Sequence, residues 1–254
     1  MKKILIIISV LIILAFVGVM YFAGSIVRAG VEKGAQYVLQ VDTKVGGGRL
    51  NILSGNVGLS GMSIGNPPGF KSDRAMFLDD IDISVSVGSL TSDTIVIDHI
   101  TINKPEITID TDIVRTNLGA LMDNVKKSTG GGEKKPDDSG AAQKKLKVGK
   151  VKILGAKVRV SESVLGGLGT SITLPDIEMN EVGTGANKDE TDFPTLVKSI
   201  IEELVKSIVK NGAGLPGSLG DLIKNESGNI LKDAGGAVKK TADDVIKGVG
   251  GIFK

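Results

Sequence analysis

The alternation in Leu78-Asp-Asp-Ile-Asp-Ile-Ser-Val-Ser-Val87 constrains this chain more than any other stretch. Ile81, Ile83, Val85 and Val87 are aliphatic, and Asp82, Ser84 and Ser86 separate them, with Asp80 leading in. Successive side chains on a strand point to opposite faces, so such a segment has one apolar and one wet face. The pattern returns in Ile95–Ile102 and in Glu106-Ile-Thr-Ile-Asp110, which adds Ile107 and Ile109. The spacing predicts three half-buried strands in an antiparallel meander with a continuous apolar surface. Either the protein's own helices or lipid covers that surface, and the choice decides the function.

Ahead of the sheet, Ile4 through Val27 contains no charged residue, with Lys2 and Lys3 before it and Arg28 after it. About 20 apolar residues span a bilayer. A cleaved signal peptide carries a shorter apolar region and a small-x-small site, for which Phe22-Ala-Gly-Ser25 is a poor match. The expectation is an uncleaved single-pass anchor over 4–27, with residues 1–3 in the cytoplasm and the bulk outside it.

Ser25–Gln40 continues with helical spacing, and Gly46-Gly-Gly48 breaks it before Arg49-Leu-Asn-Ile-Leu53 opens the sheet. Gly55, Gly58 and Gly61 predict a curved strand pair. Gly65-Asn-Pro-Pro-Gly-Phe70 is a turn, with Phe70 tucked against the sheet. Leu118, Leu121, Met122 and Val125 fall at helical spacing behind Thr116 or Asn117 as cap. Residues 126–147 read as a flexible linker. Strand pattern resumes over 148–179, and Phe193–Lys210 is a broad-striped amphipathic helix stopped by Asn211-Gly212. Residues 148–210 thus form a second β block with its helix, and 211–254 a glycine-rich amphipathic tail. The fold class is mainly β (α+β): a curved antiparallel sheet with flanking amphipathic helices behind an N-terminal transmembrane helix.

Composition removes several function classes. With 3% aromatic residues and no tryptophan, the chain lacks the stacking platforms of single-strand nucleic-acid binders. A net charge of +2 gives no basic footprint for nucleic acid. Zero cysteines exclude disulfides and thiolate zinc sites. His99 is the single histidine, on a face with Ile95 and Ile97 or at a bulge, in a structural or exposed role. Asp79, Asp80 and Asp82 invite a metal reading, but Asp80 and Asp82 fill the wet face of a strand. Gly46-Gly-Gly48 and Gly166-Gly-Leu-Gly169 lack the lysine of a phosphate loop. The expectation is a non-enzymatic protein without cofactor.

Ser25-Ile-Val-Arg28, Val31-Glu-Lys33, Asn51-Ile-Leu-Ser-Gly55, Gly61-Met-Ser-Ile-Gly-Asn-Pro-Pro-Gly-Phe70, Ser89-Leu-Thr-Ser-Asp-Thr-Ile95, Ile100-Thr-Ile-Asn-Lys-Pro105 and Thr116-Asn-Leu118 follow one another at a particular spacing. In that order they resemble the amino-terminal region of the AsmA-like family of bacterial envelope proteins. The likeness runs from Ser25 to Val125, and residues 28–125 form the corresponding β region behind the anchor. That family is similar to the repeating β-groove proteins, whose curved sheets carry acyl chains between membranes. The resemblance implies a diderm inner-membrane protein facing the periplasm, membrane lipid (phospholipid) as partner, and a role in outer-membrane homeostasis. This chain is short for the family's bridging role, since each strand adds only about 4.8 Å. On this reading Ile81, Ile83, Val85, Val87, Ile107 and Ile109 face lipid. The competing expectation is a structural or adaptor protein with a closed β domain on a membrane stalk, recruiting an envelope protein.

Overall fold

A single long helix, α1 (Lys2–Leu39), leads into the sheet. The computed structural model describes residues 2–112, 115–129, 144–161, 170–182, 190–212, 220–226 and 228. Within α1 the side chains at 2, 5, 9–10, 12–17 and 19–21 are not among those described. Among the described residues no helix is long and apolar enough to cross a membrane. Half of the side chains in the anchor expected over 4–27 therefore lie outside those described.

The second half of α1 runs along strand β1 (Thr43–Asn51) in the opposite chain direction. Gln36 Nε2 donates to the Thr43 carbonyl at 2.7 Å, and Glu32 Oε2 accepts from the Val45 amide at 3.0 Å. Arg28 Nη1 reaches the Gly46 carbonyl at 3.5 Å. These side chains occupy backbone groups on the open side of an edge strand, where another chain could otherwise pair. Further along, a Cβ on Gly24 would lie 2.2 Å from the Gly48 carbonyl oxygen. The run Gly46-Gly-Gly48 is thus no phosphate cradle; it lets helix and strand backbones touch. Gly48→Val is expected to push α1 off the sheet and destabilise the domain by about 1–3 kcal/mol, the usual range for overpacking, which thermal unfolding will measure.

Eight further strands complete one sheet: β2 (Asn56–Ile64), β3 (Met76–Val85), β4 (Thr94–Asn103), β5 (Glu106–Ile109), β6 (Lys145–Leu154), β7 (Lys157–Val160), β8 (Thr170–Thr173) and β9 (Ile177–Val182). Several of these are halves of longer strands. From Ser84↔His99 onward β4 and β5 pair with β3 in one register, Asp80↔Asn103 continuing to Phe77↔Glu106 and Met76↔Ile107. β6 and β7 follow β4 and β5 in parallel, and β9 and β8 follow them antiparallel. The order across the sheet is β1, β2, β3, β4/β5, β6/β7, β9/β8.

The interruptions fall in one line. Gly46, Gly61, Asp79, Lys104, Gly155 and Pro175 stand abreast when the pairings are read across. Gly61, Lys104 and Gly155 have φ of 62°, 46° and 61°, a left-handed conformation that reverses the alternation of side chains. Core-facing residues therefore change parity at the line: Leu78 then Ile81, Ile102 then Ile107, Ile153 then Ala156. A crease crosses the whole sheet while the core-forming aliphatic residues stay on one face. A shorter crease passes through Asp98, Gly149 and Glu181, the last with φ 51°. There the strands bulge, and His99 sits exposed beside the bulge.

The sheet is curled, as expected, and mixed, with β6 and β7 parallel to β4 and β5 in what was expected as an antiparallel sheet. β4 and β5 do not fold back as a hairpin, because Lys104-Pro105 turns the strand through the crease without reversing it. β6 then lies parallel to β4, and parallel neighbours need a long crossover, which includes α2 (Asn117–Thr129). β3 ends at Val85, and Val87 begins a 3₁₀ turn over Val87–Ser89. The helix α3 (Phe193–Asn211) has its N-cap at Asp192, whose Oδ1 accepts from the Thr195 amide at 2.8 Å, and its C-cap at Gly212. Residues 130–143 of the expected linker lie outside the described residues, as does the tail apart from 211–212, 220–226 and 228.

Candidate functional site

The register places the aliphatic residues in rows across one face. Leu59, Ile81, Ile102, Ile153 and Ile177 form one row, and Leu50, Val57, Ile83, Ile100, Val151 and Met179 the next. The end of α1 (Ala35, Val38, Leu39), the buried side of α2 and that of α3 join these rows in one core. Leu121, Met122, Val125 and Ile208 are completely enclosed. Burial of this kind contributes about 25 cal/mol per Å² removed from water.

Coverage is uneven along the strands. At the end formed by Thr43, Ile64, Met76 and Ile109 the face is sealed. At the other end, where β1 finishes and β2, β4 and β6 begin, Leu50, Val57, Ile83, Val85, Ile95 and Leu146 are only half-buried. The six sequence candidates divide along this gradient. Ile107 and Ile109 are fully enclosed and Ile81 is buried. Ile83 and Val85 are half-buried at the thinly covered end, and Val87 is exposed on the turn beyond it. The structure does not bring the six together into one surface.

The sealed end is held by a polar hub that sequence reasoning did not assemble. Asn117 is completely buried. Its Oδ1 accepts from the amides of Asp110 and Leu118, both at 3.0 Å, and its Nδ2 donates to the Thr108 carbonyl and to Asn66 Oδ1, both at 2.8 Å. Asp110 accepts from the amides of Lys71 and Ser72 at 2.7 Å and from Ser161 Oγ at 3.0 Å. Asn66 donates on to Ser72. The Asn66-Pro-Pro-Gly-Phe70 loop is thereby architectural: it ties the β2–β3 connection to the start of α2. Phe70 lies half-buried with the Arg115 guanidinium 6.0 Å from its ring centre. Thr116 caps α2, its Oγ1 accepting from the Gly119 amide at 3.0 Å. Glu226 closes over the same turn by accepting from the Thr116 amide and hydroxyl. Burial raises the Glu226 carboxyl above its usual range, against those two hydrogen bonds.

The opposite face is polar. Arg49, Asp82, His99, Thr101 and Asn103 line an open depression of about 710 Å³. Asp80 meets Arg49 at 3.7 Å and Asn103 at 3.2 Å. Partial burial, then the neighbouring Asp80, hold Asp82 above the ordinary carboxylate range against the pull of Arg49 and His99. Among the described residues no cluster of acidic or histidine side chains could hold a metal ion. The arrangement is a cross-strand charge ladder, like Lys150–Glu178 further along at 2.8 Å.

On α3, Glu202 is 9% exposed and its Oε1 has no hydrogen-bond partner among the described residues. Lys198 Nζ stands 3.8 Å away. Burial raises the Glu202 carboxyl, with the lysines opposing. A carboxyl raised in the folded state binds its proton more readily there than in the unfolded chain. Its contribution to stability is thus complete below pH 4.5 and is lost as pH rises through the folded value. Glu202→Gln should raise the unfolding midpoint at pH 7 and flatten its dependence on pH above 4.5, which paired thermal melts will check.

The model of the AsmA family matches residues 1–186. The chain belongs to the AsmA family. The match takes in α1, the crease, the polar hub and strands β1 to β9, and family membership supports association with the cell envelope. It does not include α3 or the tail. No curated protein and no solved structure matches this AsmA-family chain.

Proposed function

We propose that this AsmA-family protein is a non-enzymatic, inner-membrane-anchored periplasmic protein whose thinly covered sheet end contacts membrane lipid. The observation that carries the reading is the gradient of coverage: one apolar face, sealed at one end by α1, α2 and the hub, and half-open at the other around Ile83 and Val85. Aliphatic side chains recognise acyl chains without directional bonds, at roughly 0.8 kcal/mol per buried CH₂. Shape and length select among lipids, and phospholipid fits. The apolar residues 4–27 supply the anchor, with residues 1–3 on the cytoplasmic side. Envelope and outer-membrane lipid homeostasis is the corresponding cellular role.

Photocrosslinking of the full chain in its own membrane tests this. A benzoylphenylalanine at Ile83 should yield lipid adducts by mass spectrometry, and one at Lys152 on the polar face should yield none. Absence of lipid adducts at both positions rejects the reading.

The enclosure of Ile81, Ile107 and Ile109 favours a second reading, a closed β domain that acts as a membrane-tethered adaptor. Its signature in the same experiment is a protein adduct of fixed mass at position 83 in place of lipid.

A further inference from the structure

Three large apolar side chains stand out on the sheet domain. Leu53 is 81% exposed in the turn at 52–55, and Val87 and Leu90 are 39% and 38% exposed in the turn after β3. Leucine at a hairpin tip gains nothing from water, and the two turns adjoin. The Val85 amide donates to the Gly55 carbonyl at 2.9 Å, and a Cβ on Gly55 would lie 3.1 Å from Val87 Cγ2. Both turns belong to the thinly covered end of the sheet.

The direction of α1 fixes where that end points. From Gln36 at Thr43 to Gly24 at Gly48, the helix advances twelve residues while β1 advances five. Those are rises of about 18 Å and about 17 Å, so helix and strand run side by side. Traced towards its N-terminus, α1 leaves the sheet on the side where Leu53, Val87 and Leu90 stand. From Gly48 to Asn51 the strand adds about 10 Å, the rise of about seven helical residues. The turn at 52–55 is therefore level with α1 near residue 17, inside the uncharged run Ile4–Val27. Ile4, Ile6, Ile7, Ile8 and Leu11, beyond it, are all exposed.

We infer that the turns carrying Leu53, Val87 and Leu90 are inserted in the same bilayer that holds α1, so that the open end of the sheet meets lipid. The inference rests on the anchor reading proposed above and adds a contact surface to it. A helix embedded over 4–27 cannot leave these turns in water without bending away from β1, and the Gly24–Gly48 contact and the Gln36, Glu32 and Arg28 bonds oppose that bend. Lys144 stands at the same rim, its Nζ donating to the Leu90 carbonyl at 2.8 Å. A lysine at this rim can extend its charge towards the headgroups while its stem stays against apolar surface.

The chain has no cysteine, so single-cysteine variants carry one probe each. Full-length protein with Leu53→Cys, Leu90→Cys, Leu11→Cys or Asp73→Cys, labelled with a polarity-sensitive fluorophore, is reconstituted in phosphatidylethanolamine–phosphatidylglycerol vesicles. Nitroxide at a shallow acyl position should quench probes at 53 and 90 about threefold more than the probe at 73, which marks the sealed end. Nitroxide deep in the acyl chain should quench the probe at 11. Solvent-like emission at 53 and 90 with deep quenching at 11 overturns the seating and leaves the anchor standing. Solvent-like emission at 11 as well removes the anchor, and the seating with it.

Discussion

Asn117→Leu, a substitution of similar bulk, is expected to lower the unfolding free energy by about 3–5 kcal/mol. The leucine leaves the Asp110 amide, the Thr108 carbonyl and Asn66 Oδ1 without the partner each now has in a fully buried site. An unsatisfied buried group costs about 1–3 kcal/mol. Its effect should also be local. The Lys71 and Ser72 amides, held by Asp110, should exchange with deuterium faster than those of β6, since the loop is released before the sheet. Denaturant titration of the full chain gives the magnitude, and hydrogen exchange gives the place. A cost below about 1 kcal/mol would show that water replaces the amide and that the hub does not hold the loop to α2.

The second large effect is a contrast between two aspartates on the same face. Ile107→Asp puts a carboxylate where no solvent reaches, and the domain should fail to fold, at a cost above about 4 kcal/mol. Ile83→Asp places the same charge at the half-buried end, where the side chain can reach water. That variant should keep its far-ultraviolet circular dichroism and most of its melting temperature while losing lipid adducts from a photocrosslinker at Val85. Unfolding of both variants makes the face a closed core from end to end. Folding of Ile83→Asp with lipid adducts unchanged moves lipid contact elsewhere.

The strands were legible because period-two alternation is a local property, and β3 and β4 stand within a residue or two of their expected positions. α3 was legible for the same reason at period 3.6, down to its stop at Asn211-Gly212. The crease was not. Gly46 and Gly61 read as separate chain-break and curvature signals, and nothing local tied Lys104-Pro105 or Gly155 to them. Only the pairings show that they stand abreast, and pairing is non-local. The parity change from Leu78 to Ile81 was nonetheless present in the sequence as Leu-Asp-Asp-Ile, two polar residues where strict alternation has one. The hub was hidden similarly. Asn117 was read as a cap and Asp110 as the end of a strand, and nothing local ties either to Asn66. The six lipid-facing candidates shared one pattern and so one expectation, but a strand's face says nothing of which stretch a helix covers. That depends on where α1, α2 and α3 land.

The two sides of the sheet differ in a way that gives the molecule a direction of growth. β1 is closed to further strands by the Gln36, Glu32 and Arg28 side chains. The β9/β8 row has no strand beyond it among the described residues, and Pro175 and the left-handed Glu181 interrupt it at only two points. Any lengthening of the sheet, by inserted sequence or by a second copy, can proceed from that side alone. Each added strand would carry the crease and the apolar face about 4.8 Å further from α1. Such a sheet elongates as a ladder does when one rail is fixed to the wall: the fixed side stays where it is, and all extension is measured away from it.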